Sequence, residues 1–223
     1  MPTSLLQVGL VVGWLAIIGG VAEGLRRTSA VGPEITRKVV HIGAGHVILL
    51  AWWLQTPAWM GIAASVAASA IALLSYRMPL LPGINGVGRD SLGTFFYALS
   101  IGLLTAAFWP QGLFQYAALG ILVMTWGDGL AALIGQHFGR HPYKLWDVQK
   151  SWEGSAAMFV ASLIVCLCIL GGVYGGSGAV GLISLVVALI ATGLEAFSKF
   201  GIDNLTVPVG SAALAYGLIS LML

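Results

Sequence analysis

Eight apolar runs, each close to the length of a membrane-spanning helix, fill most of this chain. About 20 predominantly apolar residues are needed for a helix to cross a hydrocarbon core roughly 30 Å thick. Hydrophobic residues make up 58% of the chain and charged residues 8%, whereas about a quarter of the residues in a soluble domain are charged. We therefore predict an all-α, polytopic membrane bundle that forms a single domain over residues 1–223. The predicted spans are residues 5–25, 37–54, 58–76, 92–109, 113–134, 155–172, 180–196 and 205–223.

The basic residues are confined to alternate gaps between the predicted spans. Loops that carry Lys and Arg are retained in the cytoplasm, so this pattern predicts that both termini lie on the non-cytoplasmic side. Most of the acidic residues lie in or beside the same gaps, which gathers the polar chemistry on one face. Asp128 differs, because it lies inside the fifth span. The ten basic residues are Arg26, Arg27, Arg37, Lys38, Arg77, Arg89, Arg140, Lys144, Lys150 and Lys199.

The charge pattern also excludes several classes of protein. The net charge of +2 is modest and is spread over separate loops, so we expect no nucleic-acid surface. The first span has its double arginine after the apolar run rather than before it, which argues against a secretory signal. The short N-terminus offers no transit peptide, which favours a bacterial protein. Cys166 and Cys168 diverge on one predicted helix, so we expect neither a disulfide nor a metal site there.

Glycine is abundant, with 31 copies in 223 residues, and many of them lie within the spans. Gly9 and Gly13, like Gly20 and Gly24, are four residues apart in the first span. Small residues at this spacing let membrane helices approach closely. These pairs therefore predict contacts between the first span and a neighbouring helix.

Cations lie at the predicted starts of the helices that begin on the basic face. Arg37 and Lys38 open the second span, Arg89 precedes the fourth and Lys150 precedes the sixth. A cation at a helix N-terminus opposes the helix dipole by roughly 0.3–1 kcal/mol, whereas free backbone N–H groups beside a cation bind phosphate well. We predict anion sites at Arg89 and Lys150, with Ser151 as N-cap. The alternative is that the positive-inside rule alone requires these cations.

Asp128 is the acidic residue that the fold class explains least. The preceding residues, 113–126, are too few to cross the bilayer, so the fifth span must continue past Asp128. An aspartate at the centre of a span costs up to about 2.5–3.5 kcal/mol and marks a functional site by default. Gly127 and Gly129 flank it, and we expect the helix to open there. The alternative is a buried salt bridge or a hydrogen bond between helices.

Further polar residues surround the last two spans and the second. Glu195 and Asp203 bracket a loop that also contains Lys199, and Asn204 follows directly. If these acids converge with Asp128, their oxygen atoms and a nearby polyphosphate would suit Mg²⁺. A plain solvated loop is the alternative. His41 lies near the cytoplasmic end of the second span, where it can contact a phosphate or a hydroxyl group.

Five motifs make the chain similar to a known family. The chain resembles the membrane polyprenol kinases, which include phytol kinases, dolichol kinases and CTP-dependent diacylglycerol kinases. Each motif is weak alone, but their order and spacing from the second to the eighth span are specific. The motifs are Arg37-Lys38-Val39-Val40-His41, Arg89-Asp90-Ser91-Leu92-Gly93-Thr94, Gly127-Asp128-Gly129 with Gly135 and Gly139, Lys150-Ser151-Trp152-Glu153-Gly154-Ser155, and Gly201-Ile202-Asp203-Asn204-Leu205-Thr206-Val207-Pro208.

The resemblance implies that the chain transfers the γ-phosphate of CTP or UTP to the hydroxyl of an isoprenoid alcohol dissolved in the bilayer. On this basis Asp128 and Lys150 are the catalytic candidates, and Arg37, Lys38 and His41 are the candidates for substrate binding. The predicted ligands of Mg²⁺ are Asp128, Glu195, Asp203 and Asn204. The predicted nucleotide-binding residues are Arg89, Ser91, Thr94, Lys150, Ser151, Glu153, Gly154 and Ser155.

Three rival functions fit parts of the pattern. A membrane cytidylyltransferase, which attaches CMP to a lipid phosphate, has a similar Gly-Asp and lysine-rich character. A diacylglycerol kinase would share the phosphoryl transfer but not the isoprenoid acceptor. A transporter or anion channel is the rival from another class, but the sites of such proteins usually lie near the membrane midplane, between repeats. The halves of the predicted spans on the non-cytoplasmic side have no charged residue, which argues against a charged pathway across the membrane.

Overall fold

A computed structural model describes residues 3–27, 32–77 and 92–223 of the chain. Seven of the helices in these ranges are long and apolar enough to cross a membrane. This confirms the prediction of an all-α, polytopic membrane bundle. The helices are α1 (Ser4–Arg27), α2 (Pro33–Gly45), α3 (Val47–Trp53), α4 (Ala58–Arg77), α5 (Gly93–Phe108), α6 (Phe114–Phe138), α7 (Trp152–Tyr174), α8 (Gly178–Ala196) and α9 (Asp203–Met222), with a short 3₁₀ turn at Trp109–Gln111.

The second predicted span is formed by two consecutive helices, α2 and α3, rather than by one. They meet at His46, whose backbone N–H donates to the carbonyl of Gly43 and whose Nδ1 lies 2.7 Å from the carbonyl of Ile42. The prediction that Arg37 and Lys38 open this span is wrong. Because α2 already begins at Pro33, which is favoured in a first helical turn, both cations lie a full turn inside the helix.

Helix α6 is the central helix of the bundle, and most of its residues from 115 to 127 are buried. It passes Asp128 without interruption, so the expectation that Gly127 and Gly129 open the helix is wrong. Both glycines instead permit close packing. A Cβ atom on Gly127 would meet Met158 of α7, and one on Gly129 would lie 2.8 Å from Ile42 of α2. The fifth span therefore positions Asp128 on a rigid helix between two neighbours.

Helix α1 lies at the side of the bundle, and its glycine pairs do not make the predicted contacts. A Cβ atom added at Gly9, Gly13, Gly20 or Gly24 would meet no heavy atom of the described residues within 4 Å. Close approach occurs elsewhere, where Gly45 of α2 packs against Thr125 and Gly120 of α6 packs against the carbonyl of Pro208. Small residues thus bring α2 and α9 onto the central helix.

A two-stranded hairpin follows α6, in addition to the helices that the sequence predicts. Strands β1 (Pro142–Leu145) and β2 (Val148–Ser151) pair antiparallel, with Tyr143 opposite Lys150. Pro142 cannot continue a helix, and the backbone N–H of Trp152 donates to the carbonyl of His141. The hairpin therefore places Lys150 directly before α7.

One end of the bundle gathers the charged motifs. It consists of α2, the C-terminal half of α6, the hairpin, the first turns of α5, α7 and α9, and the last turn of α8. The start of α5 joins this group because the backbone N–H of Leu92 donates to the carbonyl of Phe200, 3.1 Å away, in the loop before α9. We call this region the charged end.

Candidate active site

Asp128 is held by Lys38 across the contact between α6 and α2. Lys38 Nζ lies 2.5 Å from Asp128 Oδ2 and 3.3 Å from the Asp128 carbonyl oxygen. The lysine side chain is 3% exposed and the aspartate side chain 18%. The contacts of Gly45 with Thr125 and of Gly129 with Ile42 bring the two helices close enough for this pair. The buried ion pair considered as the alternative for Asp128 is therefore present.

His41 lies on the other side of the same carboxylate. Its Nε2 is 3.7 Å from Asp128 Oδ2, and this buried nitrogen has no hydrogen-bond partner within the described ranges. The ring packs on Tyr97 of α5 at a centroid distance of 4.4 Å, and Tyr97 Oη lies 2.8 Å from Thr125 Oγ1. Buried polar atoms are usually satisfied, so this unpaired nitrogen beside a carboxylate could hydrogen-bond a hydroxyl group. The sequence predicted His41 but not Tyr97 or Thr125.

Lys150 is paired with Glu195 between the hairpin and the last turn of α8. Its Nζ lies 2.5 Å from Glu195 Oε1 and also contacts the Glu195 carbonyl oxygen. Ser198 Oγ donates to the same carbonyl at 2.9 Å. Both charged side chains are largely buried. A buried ammonium with a carboxylate at this position could exchange that partner for another anion, such as a phosphate oxygen.

Ser151 caps α7, as the sequence predicts. Its Oγ accepts a hydrogen bond from the backbone N–H of Gly154 at 3.1 Å. Two glycines allow this helix start to pack closely on α6. A Cβ atom on Gly154 would lie 2.9 Å from the carbonyl of Ala131, and one on Gly135 would lie 3.1 Å from Ser151 Oγ. The glycine spacing of the motif therefore serves the contact between the two helices.

Two other predicted nucleotide-binding residues contact the hairpin or the residue directly before it. Glu153 Oε1 lies 2.6 Å from His141 Nδ1, and Ser155 Oγ lies 2.6 Å from Tyr143 Oη. The Tyr143 and Trp152 rings also pack together, with centroids 5.2 Å apart. These contacts hold the hairpin, and with it Lys150, against the first turn of α7.

Asp203 lies at the first turn of α9. Its Oδ1 accepts hydrogen bonds from the backbone N–H and the side-chain amide of Asn204, at 3.1 and 3.2 Å. It interacts electrostatically with Asp128, and Glu195 interacts with both of these aspartates. Three neighbouring carboxylates disfavour one another unless cations neutralise them. The loop between Glu195 and Asp203 is thus part of the charged end rather than a separate solvated loop.

Asp128, Glu195 and Asp203 do not form a complete metal site by themselves. Within the parts of the chain that the structure describes, no three His, Cys, Asp or Glu side chains are grouped closely enough to hold a metal ion. Mg²⁺ is commonly held by one or two carboxylates together with substrate phosphates and waters. Asp128 and Asp203 provide carboxylate oxygens of that kind, so the residues present fit such a shared site.

Of the remaining predicted site residues, the structure describes Arg37 and Thr94. Arg37 is paired with Glu34, with Nη2 2.5 Å from Oε1, and interacts electrostatically with Asp128 and Asp203. Thr94 lies half-buried in the first turn of α5, next to the Leu92 contact with the loop before α9. Arg89 and Ser91 lie outside the described residues.

An exposed ion pair connects the hairpin turn with the loop before α9. Lys199 Nζ donates to Asp147 Oδ2 at 2.9 Å, and this hydrogen bond holds the pKa of the Asp147 carboxyl below its usual value. Exposed pairs of this kind contribute little to stability. The pair nevertheless shows that the hairpin turn reaches over to the last loop of the charged end.

Comparison with known proteins identifies relatives along nearly the whole chain. Phytol kinase of Synechocystis sp. is 52% identical over 211 residues, which cover 95% of this chain and 91% of the relative. The chain belongs to the membrane polyprenol kinase family. A probable chloroplastic phytol kinase of Triticum aestivum is 28% identical over 87% of this chain and 70% of the relative. Chloroplastic farnesol kinase of Arabidopsis thaliana is 29% identical over 80% of this chain and 64% of the relative. No family model and no solved structure matches the chain.

In this polyprenol kinase the two catalytic candidates lie on the same end of the bundle. Asp128 interacts with Glu195, and Glu195 binds Lys150 directly, so the three groups form a continuous set of charges. Together with Lys38, which binds Asp128, these groups come from four elements of the chain, α2, α6, α8 and the hairpin. One extended polyanion could therefore contact cations from several helices at once.

Proposed function

We propose that this chain is a CTP- or UTP-dependent kinase that phosphorylates a membrane-dissolved isoprenoid alcohol, phytol or a related alcohol such as geranylgeraniol. The observation that carries this proposal is the 52% identity with a phytol kinase over 95% of the chain. The charged end supports it independently, because cations, carboxylates and a capped helix start lie together at one end of the bundle.

The triphosphate of the nucleotide would bind at Lys150 and the start of α7. The positive end of the helix dipole and the Lys150 ammonium favour phosphate there, while the backbone N–H groups of Trp152 and Gly154 already have partners. Glu195 already holds the Lys150 ammonium in place, and a phosphate oxygen would accept one of the hydrogen bonds that Lys150 now donates to Glu195. Arg89 and Ser91, with Thr94 on α5, are proposed to contact the same nucleotide.

Asp128 is the proposed base for the reaction. The alcohol oxygen attacks the γ-phosphorus, the bond from that phosphorus to the β,γ-bridging oxygen breaks, and the nucleoside diphosphate leaves with those electrons. The hydroxyl proton passes to Asp128. Lys38 keeps this carboxylate charged and correctly oriented, and the unpaired His41 nitrogen lies where it can bind the alcohol hydroxyl. Phosphoryl transfer gains mostly from such positioning and from charge stabilisation.

Mg²⁺ would be held by Asp128 and Asp203, with Glu195 and Asn204 beside them. When bound, it would neutralise phosphate charge that the lysines alone do not balance. The proposed orientation places this end in the cytoplasm of a cyanobacterium, at the plasma or thylakoid membrane. The other substrate arrives laterally through the lipid.

The products of a reaction with labelled CTP test this proposal. Purified protein should convert phytol and CTP into CDP and phytyl monophosphate. Release of pyrophosphate with formation of a CDP-lipid would instead identify a cytidylyltransferase. A panel of phytol, geranylgeraniol, farnesol, dolichol and diacylglycerol against CTP, UTP and ATP then establishes the acceptor and the donor. A preference for diacylglycerol would contradict the isoprenoid proposal.

A further inference from the structure

An apolar groove runs between α8 and α9 and ends at the charged end. It has a volume of about 390 Å³, within the range of roughly 300–1,000 Å³ usual for small-molecule sites. Gly193 and Leu194 of α8 line it, with Phe197 and Ile202 of the following loop. Phe197 is 64% exposed and Ile202 40% exposed. In a membrane such apolar side chains face lipid, so the groove is open to the bilayer.

The polar end of the groove touches the candidate active site. Ser198 lines the groove, and its hydroxyl donates to the Glu195 carbonyl oxygen that Lys150 also contacts. A molecule in the groove would therefore have its polar end next to the proposed phosphate and metal residues.

The chemistry of the lining favours a neutral, single-chain lipid. Ser198 and Thr206 are its polar side chains, and none of its lining residues in the described ranges is charged. A phospholipid headgroup would meet no charged partner in such a groove. An alcohol needs only one hydrogen-bonding end and an apolar channel for its tail.

We propose that the groove between α8 and α9 binds the isoprenoid chain of the alcohol and directs its hydroxyl into the charged end, past Glu195 and Asp203 and towards Asp128. This inference rests on the proposed function, because it assigns the acceptor's tail to a place beside that same site. Gly193 lines the groove, and a Cβ atom there would meet nothing within 4 Å among the described residues, so a larger side chain at this position can enter the groove.

A matched pair of glycine substitutions on α8 tests the groove. Gly193→Leu places a side chain in it, whereas Gly181→Leu adds the same side chain to the same helix, also with nothing within 4 Å of the new Cβ among the described residues. We expect Gly193→Leu to raise the KM for phytol roughly tenfold or more, as blocked apolar pockets do. The KM for the nucleotide should not change, and a short alcohol such as geraniol should lose less. Equal kinetics for the two variants, or equal losses for short and long alcohols, would overturn the inference.

Photolabelling gives a readout that does not depend on turnover. An isoprenoid alcohol that carries a diazirine should label residues 189–206, phytol should compete, and Gly193→Leu but not Gly181→Leu should abolish the labelling. Labelling elsewhere would overturn the groove assignment, and labelling that phytol does not reduce would identify an ordinary lipid contact instead. If the wild type phosphorylates no alcohol while competed labelling persists, the proposed function fails but the binding groove stands.

Discussion

The ion pair with Lys38 offsets the free-energy cost of placing the Asp128 carboxylate inside a membrane-spanning helix. Removing either charge leaves the other buried without a partner. This lowers the stability of the fold far more than the loss of an exposed ion pair does. Hydropathy and helix dipoles predicted that Asp128 is special, since a lone aspartate inside a span needs a partner. They could not predict which cation pairs with it, because Lys38 is 90 residues away in sequence. Pairing across helices depends on packing, which a single sequence does not reveal.

Asp128→Asn should abolish phosphorylation in protein that still folds, although with reduced stability, because Lys38 loses its charged partner. The amide keeps a similar shape and an oxygen acceptor for Lys38, but it cannot accept the proton of the alcohol. A general base typically contributes about 10²–10⁴-fold to the rate, so kcat should fall by at least roughly 10²-fold. Steady-state assays in detergent check this, with Glu23→Gln on the exposed face of α1 as the control. Near-normal turnover in Asp128→Asn would remove Asp128 from the mechanism.

Lys150→Ala should weaken use of the nucleotide more than use of the alcohol. Loss of the ammonium removes a charge-assisted contact to phosphate, worth about 1.5–3 kcal/mol, so the nucleotide KM should rise at least roughly tenfold. Lys199→Ala is the matched control, because that lysine lies on the same end but pairs with the exposed Asp147. Titrations of nucleotide and alcohol with both variants distinguish a specific contact of Lys150 with phosphate from a general effect of removing a lysine at this end. An unchanged nucleotide KM in Lys150→Ala would contradict its phosphate role.

At the scale of elements, the sequence located the membrane helices well and their irregularities poorly. Hydrophobic runs fix where helices lie, since backbone groups in lipid must be paired within the helix. The break at His46 and the unbroken helix at Gly127 were not predicted, because both depend on which neighbour each glycine faces. The hairpin was missed because short β-pairings carry little periodic signal. Motif glycines thus marked helix contacts rather than helix openings.

Ser151→Ala should separate the role of the α7 cap in stability from its role at the site. Loss of an N-cap costs about 1 kcal/mol. Ser177→Ala removes the equivalent cap of α8 at the opposite end, where Ser177 Oγ accepts from the backbone N–H of Val180. Thermal unfolding should show similar losses for both variants. Kinetics should show a higher nucleotide KM for Ser151→Ala alone, and equal KM values would indicate that the α7 start does not bind phosphate.

At the scale of the whole molecule, the predicted sidedness unites the hairpin, the two lysine pairs and the groove at one membrane surface. Cysteine labelling tests it in a variant in which Cys166 and Cys168 are replaced by alanine. An impermeant maleimide should react with Gln149→Cys, in the hairpin, only after the cytoplasmic face is exposed. It should react with Gly176→Cys, in the loop between α7 and α8, in intact cells. The reverse pattern would place the nucleotide site where no cytoplasmic CTP or UTP can reach it.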